Sequence, residues 1–190
     1  FLNCVLLNRL GQRKAESAVP SIVKALDDSD AKIAYAAVTA LTEIGNQESV
    51  QALTGVLKKP SSPIYIKAGQ GLIDIAQTKV LNKQIADAGK IFDSIYQNTS
   101  NAASGSQDTT SIRIASINGM INCNPEKSAS LIVTFIKDKN PKVRSAAVMG
   151  ASMSASDEPV KALGAILSQL EPDTQVQVLG AIGEKKDISS

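Results

Sequence analysis

"DKNPKVRSAAVMGASM", residues 138–153, begins with the residues of a turn and continues as a helix. Asp138, Asn140 and Pro141 favour the turn, and from Val143 onward apolar residues recur three and four positions apart. Nearly every inward position of the helix holds alanine or glycine. The stretch therefore predicts a helix that approaches its neighbours closely.

The same pattern recurs along the chain, most clearly in "DSDAKIAYAAVTALTE", residues 28–43. Equivalents of Val143 follow one another at intervals of 31, 31, 48, 31 and 33 residues. The predicted unit starts are Leu2, Ile33, Ile64, Ile112, Val143 and Val176. Positions four, seven and eight after each start complete one face of a helix, named here the A helix. The pattern predicts a single repeat array over 1–190 with a long, irregular third unit over 64–111.

A second apolar stripe follows in most units and predicts a second helix, named here the B helix. The stripes over 19–26 and 50–57 lie 31 residues apart, as do those over 129–136 and 160–167. One hairpin cannot bury both of its apolar faces, whereas stacked hairpins bury them against each other. The predicted fold class is all-α: a right-handed α-solenoid of stacked helical hairpins (an α-α superhelix), with about 31 residues per repeat.

Residues 138–151 resemble a HEAT repeat of the short bacterial type that is also found in phycobilisome-lyase-like proteins. The matching features are the acidic turn, the Val143-Arg144 pair and the Ala146-Ala147 pair. The residue directly after each unit start is equivalent to Arg144. In chain order from the second unit, these residues are Ala34, Tyr65, Arg113, Arg144 and Gln177. The resemblance extends over nearly the whole chain, and it implies the fold more strongly than an activity.

The third unit departs from the repeat. "TKVLNKQIADAGKIFDSIYQN" predicts a long B helix over 78–97, and residues 98–111 predict a flexible loop. This loop is either a tolerated surface insertion or a segment that contacts a partner. Asn98-Thr99-Ser100 matches a glycosylation sequon, which has meaning only in a eukaryotic secretory pathway.

The composition argues against several functional classes. Lys and Arg number 20 against 18 Asp and Glu, so the chain carries a net charge of only +2 and has no strongly basic character. It contains no His and no Trp. We therefore expect no nucleic-acid partner, no membrane insertion, no cofactor and no metal site. The compartment is left open.

Two groups of residues could carry chemistry. Ser21 and Lys24 form a Ser-x-x-Lys spacing on one helix face, as a serine–lysine nucleophile requires, although both types are common on exposed helix faces. Asp27, Asp28 and Asp30 could hold a weak cation, or cap the following helix. Without a companion motif we predict that the protein is not an enzyme.

The arginines and the cysteines also allow two interpretations each. Arg113 and Arg144 are expected to pair with neighbouring acidic residues or turn carbonyls, with ligand binding as the alternative. Cys4 and Cys123 each lie in an apolar helix and are expected to be buried free thiols. A disulfide or a reactive cysteine is the alternative.

Both ends of the chain look uncapped. The apolar start "FLNCVLL" has no polar cap, and the last unit stops after "GEKKDISS" without a B helix. Because terminal repeats of a solenoid normally carry a polar outer face, we expect a segment of a longer array, or ends that pack on something else.

The repeat favours a non-catalytic scaffold that binds a protein or peptide partner on its helical surface. The alternative, suggested by the lyase resemblance, is an accessory or lyase-like protein that handles a chromophore or another ligand. By analogy with the family, the B helices line the concave side. The candidate partner-binding residues are the polar positions between the B-helix stripes, namely Ser21, Lys24, Gln51, Thr54, Lys58, Thr134, Lys137, Lys161 and Ser168.

Overall fold

The computed structural model describes residues 2–100, 108–154 and 156–188, and it contains eleven α-helices and no β-strand within them. The predicted all-α helical-repeat class is confirmed. No helix of these ranges is long and apolar enough to cross a membrane. The chain divides into two compact units, residues 1–112 and 113–190. The single array over 1–190 and the handedness of its superhelix stay predictions.

The first unit is a stack of three helical hairpins. The A helices α1, α3 and α5 contact one another in sequence order, and the B helices α2, α4 and α6 do the same. Its helices are α1 (Leu2–Gln12), α2 (Val19–Lys24), α3 (Ala31–Ile44), α4 (Gln47–Leu57), α5 (Tyr65–Leu81) and α6 (Ile85–Ser100).

The second unit repeats this arrangement with shorter B helices. The A helices α9 and α11 pack together, as do the B helices α8 and α10. Its helices are α7 (Thr110–Cys123), which contains the boundary between the units, α8 (Ser128–Phe135), α9 (Pro141–Ser152), α10 (Glu158–Ala165) and α11 (Pro172–Ile188).

Small residues on the A helices permit close helix contact, as the repeat predicts. Ala37 and Ala147 are fully buried. A Cβ atom added to Gly71 on α5 would lie 2.3 Å from Oγ1 of Thr42 on α3, and one added to Gly150 would lie 3.0 Å from Ile121 Cδ1. Side chains larger than those present would force these helices apart.

The predicted helix caps are confirmed, and they form the same network in two repeats. Asp28 Oδ1 accepts the N–H of Asp30, whose own Oδ1 accepts the N–H of the second residue of α3. The pair Asp138 and Asn140, which lies 110 residues later, makes the same two bonds at the start of α9. These side chains satisfy backbone donors that a helix start leaves free.

The predicted B helix over 78–97 is wrong, because a helix boundary falls inside it. The A helix α5 continues to Leu81, residues 82–84 form a turn, and the B helix α6 begins at Ile85. Lys83 adopts the left-handed conformation, with φ of 61°, and so ends α5 without glycine or proline.

The predicted loop over 98–111 is wrong at its two ends, where the neighbouring helices extend into it. Residues 98–100 end α6 and residues 110 and 111 begin α7, while 101–107 lie outside the described residues. Within the sequon, Thr99 is buried and donates its hydroxyl to the Ile95 carbonyl, and the Asn98 amide donates to Ser94 O. A sequon engaged within a helix is a poor glycan acceptor.

Two predicted repeat positions are out of register. Val176 is 70% exposed, whereas Thr174 and Val178 are buried, so Thr174 is the inward residue that lies 31 positions after Val143. In α1, Leu6 is 57% exposed. The final interval is therefore 31 residues, and Gln175 instead of Gln177 occupies the arginine position.

Candidate protein-interaction surface

A groove of about 400 Å³ lies among α4, α5 and α6 in the first unit, and we call it the α4–α6 groove. Its lining combines apolar, amide, hydroxyl and charged side chains from all three helices. The lining residues are Gln47, Val50, Gln51, Thr54, Lys58, Lys79, Asp87, Lys90, Ile91 and Ser94.

Three predicted contact residues meet in this groove. Gln51, Thr54 and Lys58 are spaced three and four residues apart, so they share one face along α4 and its C-terminal end. Val50 and Leu53 are buried beneath them and hold that face in place. The sequence pattern of α4 was therefore sufficient to group these side chains.

The opposite wall was not predicted as a contact surface. Asp87, Lys90 and Ser94 follow the same three-and-four spacing along α6, and Lys79 comes from the last turn of α5. Their spacing is a signal that could have identified them, since α6 buries Ile91 and its neighbours on the adjacent face. The sequence analysis placed Lys79 and α6 in one continuous helix over 78–97, so it did not indicate that α5 and α6 form two walls of a groove.

The other six predicted contact residues are exposed and lie outside the α4–α6 groove. Lys161 on α10 pairs with Glu158 at 3.2 Å. The rest are Ser21 and Lys24 on α2, Thr134 on α8, Lys137 after it, and Ser168 in the 3₁₀ turn after α10. The side chains of Ser21 and Lys24 form no hydrogen bond to any described residue, so the geometry of an activated nucleophile is missing there.

A second depression, of about 340 Å³, lies between α7 and α9 in the second unit. Its lining includes Ile121, Met149 and Met153, with asparagine and serine side chains but no charged group. Met149 and Met153 are 62% and 78% exposed. No aromatic side chain lines either depression.

The arginines serve structural contacts, as predicted. Arg113 forms an ion pair with Asp138, with both side chains largely buried. Arg144 Nη1 donates to the carbonyl of Asp138 at 2.9 Å, and its Nε donates to Thr174 Oγ1 at 3.2 Å. Each arginine therefore joins its A helix to the segment that begins the next one.

Two residues that replace the arginine also bond to the main chain beside a helix end. The hydroxyl of the buried Tyr65 on α5 donates to Asn98 O at the end of α6, at 3.2 Å. The amide of Gln175 on α11 donates to Leu170 O at 2.8 Å. Burial raises the pKa of Tyr65, since a charged phenolate would be poorly solvated there.

The candidate metal and thiol sites show little sign of function. Asp27 pairs with Lys59 at 3.3 Å, and no group of three Cys, Asp or Glu side chains that could hold a metal occurs in the described ranges. Cys4 and Cys123 are free thiols, but both are half-buried instead of buried as predicted. Desolvation raises the pKa of Cys123, which disfavours the reactive thiolate.

The family model for HEAT repeats matches residues 4–73, from α1 to the middle of α5. No curated protein matches the chain. HEAT repeats commonly serve as protein-interaction scaffolds and are generally non-catalytic. The match identifies HEAT repeats in general, and the similarity to the phycobilisome-lyase subtype stays a prediction. The match shows HEAT repeats over residues 4–73, and the helical hairpins of both units have the architecture expected of a HEAT-like repeat protein.

Proposed function

We propose that this protein is a non-catalytic scaffold that binds a protein or peptide partner on the surface formed by its B helices. The observation that carries the proposal is the α4–α6 groove, in which polar side chains of two B helices face a shared depression. Gln51 and Thr54 offer hydrogen bonds there, and Val50 and Ile91 add apolar surface. A surface of this composition suits a polypeptide, which presents both amide groups and apolar side chains.

Chromophore handling draws no support from the two depressions. Bilin-like groups are large conjugated molecules, and sites for such ligands are typically lined by hydrophobic and aromatic side chains. The buried aromatic residues Tyr65, Phe92 and Phe135 instead pack within the two units. The scaffold function is therefore the better supported of the two.

The test begins with identification of a partner by affinity capture, followed by calorimetry with the purified partner. The groove variant combines Gln51→Ala, Thr54→Ala and Lys58→Ala. We expect it to weaken binding by about tenfold or more, since truncation at an interface removes contacts worth kilocalories.

A matched control removes the same three chemical groups from the A helices. It combines Lys32→Ala, Thr39→Ala and Gln70→Ala, on α3 and α5 of the same unit. We expect it to retain the wild-type affinity. Equal losses in the two variants, or no loss in the groove variant, would contradict binding at the B-helix surface.

A further inference from the structure

The α4–α6 groove has an uneven charge. Lys58, Lys79 and Lys90 line it together with a single acidic residue, Asp87, which leaves an excess of two positive charges. The whole chain has an excess of only two, spread over 190 residues. The lining of this one groove thus has the same net charge as the whole chain.

The structure does not neutralise this charge. Among the described residues, Lys58 and Lys79 have neither an ion pair nor a hydrogen-bonded side-chain partner. Lys90 pairs with Asp87 at 3.4 Å, but both side chains are more than half exposed. An exposed pair of this kind contributes little free energy and is easily exchanged for a better acceptor.

Helix dipoles account for only part of this arrangement. Lys58 and Lys79 lie at the C-terminal ends of α4 and α5, where a cation is favourable for each helix alone. That preference does not require the two ammonium groups to line the same depression. Lys90, the sixth residue of α6, lies beyond the first turn, where the dipole has little effect, and it lines the groove with them.

The groove also provides an apolar contact between the lysines. Val50 on α4 and Ile91 on α6 are 9% and 5% exposed and contribute to the lining. A ligand that carries only charge would leave this contact unused. A ligand that carries only apolar groups would leave the lysines desolvated and unpaired.

We propose that the α4–α6 groove binds an acidic segment of a protein partner. Carboxylates of Asp or Glu pair with Lys58 and Lys79, and an apolar side chain between them packs on Val50 and Ile91. This inference rests on the scaffold function proposed above and adds the chemistry of the partner. A nucleic acid suits the groove less well, because no aromatic side chain is present for base stacking and a phosphate backbone would leave the apolar contact with Val50 and Ile91 unused.

The test is a nuclear magnetic resonance titration of the full chain with a short peptide of alternating Glu and Leu. The comparison peptide replaces each Glu with Gln, and a DNA duplex is titrated separately. We expect the acidic peptide to shift amide signals of Gln51, Thr54 and Ser94, with an affinity that falls as salt is added. The Gln peptide should bind at least about tenfold more weakly.

Variants of the lysines separate charge from packing. Lys58→Ala combined with Lys79→Ala should weaken acidic-peptide binding by about tenfold, and the double Lys→Arg variant should retain it. Lys32→Ala with Lys67→Ala removes the same charge from α3 and α5 away from the groove, and it should bind as wild type. Equal binding of the Gln peptide, shifts away from the groove, or tighter binding of DNA at these lysines would overturn the proposal.

The captured partner distinguishes this proposal from the scaffold function. If the partner binds the Lys58→Ala, Lys79→Ala variant with wild-type affinity, the acidic specificity is wrong and the scaffold function stands. If the acidic peptide binds the groove but no protein partner does, the acidic specificity is supported and the scaffold function is wrong.

Discussion

Arg113 on α7 and Asp138 in the turn before α9 form an ion pair whose side chains are only 11% and 6% exposed. Arg144, one repeat later, donates to the main-chain carbonyl of the same Asp138. Two arginines from successive A helices thus converge on one turn. Asp138 in addition accepts the N–H of Asn140, so a single residue supports the turn, the helix start and the contact between repeats.

Replacing Asp138 with Asn should destabilise the protein. Asn keeps an oxygen that can accept the Asn140 N–H, but it leaves the largely buried Arg113 without its counter-charge. Loss of one member of a buried pair typically costs about 3 kcal/mol in the free energy of unfolding. Urea denaturation measures the difference.

The exposed pair between Lys161 and Glu158 is the control for this prediction. Both of these side chains are more than two-thirds exposed, so Glu158→Gln should change the free energy of unfolding by less than about 1 kcal/mol. Similar losses at the two sites would show that burial does not determine the contribution of the Arg113–Asp138 pair.

Tyr65→Phe should lower stability and change its dependence on pH. At neutral pH, loss of the hydrogen bond to Asn98 O should cost about 1 kcal/mol. The raised pKa of the folded phenol means that the unfolded chain loses this proton first. The tyrosine's contribution is therefore complete below about pH 10 and is lost as the pH rises further.

The measurement is urea denaturation of wild type and Tyr65→Phe at a series of pH values. The difference in free energy of unfolding between wild type and Tyr65→Phe should shrink as the pH rises above about 10, until it vanishes or changes sign. A constant difference across the series would mean that Tyr65 has the same proton affinity in both states.

Gly71→Ala should destabilise the first unit although alanine favours helices. The new methyl group would lie 2.3 Å from Thr42 Oγ1, and Thr42 is held by a hydrogen bond to Val38 O. Overpacking of this kind costs about 1–3 kcal/mol. A methyl group added to Gly55 on α4 would have no atom within 4 Å, so Gly55→Ala should stabilise by up to about 1 kcal/mol. Thermal unfolding of both variants would show opposite shifts.

Ser49→Ala should stabilise the protein. Ser49 is fully buried, and its hydroxyl has no hydrogen-bond partner in the described part of the chain. Removing an unsatisfied hydroxyl should raise the free energy of unfolding by about 1 kcal/mol. The cap on α4 is preserved, because Asn46 accepts the main-chain N–H of residue 49.

Ser128 is the matched control, since it is also buried near the start of a B helix. Its hydroxyl donates to Pro125 O at 2.7 Å, so Ser128→Ala should cost about 1 kcal/mol. Chemical denaturation that gives the same sign for both serines would contradict this explanation.

The hairpins could be predicted from sequence because their signals are local. The apolar spacing of α3 defines its buried face, and Gly45 ends the helix in the left-handed conformation that glycine adopts most easily. Asn140 and Pro141 mark the start of α9 with a side-chain cap and a residue that needs no N–H partner.

The errors occur where tertiary contacts replace such signals. Lys83 adopts a left-handed turn that residues other than glycine seldom form, so the sequence concealed the boundary between α5 and α6. In α11, both Val176 and Val178 are apolar, and only packing against α9 reveals that Val178 is the inward residue. The α4–α6 groove could not be predicted, because it depends on how three helices pack together and residue spacing does not specify that packing.

The contacts made by the two arginines also set how unfolding spreads through the second unit. Arg113 pairs with Asp138 and Arg144 bonds to Thr174, so each hairpin of this unit is coupled to its successor by a few identifiable bonds. In a linear lattice of nearest-neighbour couplings, weakening one bond lets the terminal hairpin open alone while the remainder stays folded. These side chains therefore adjust the cooperativity of the protein, and amide hydrogen exchange of individual hairpins would record it.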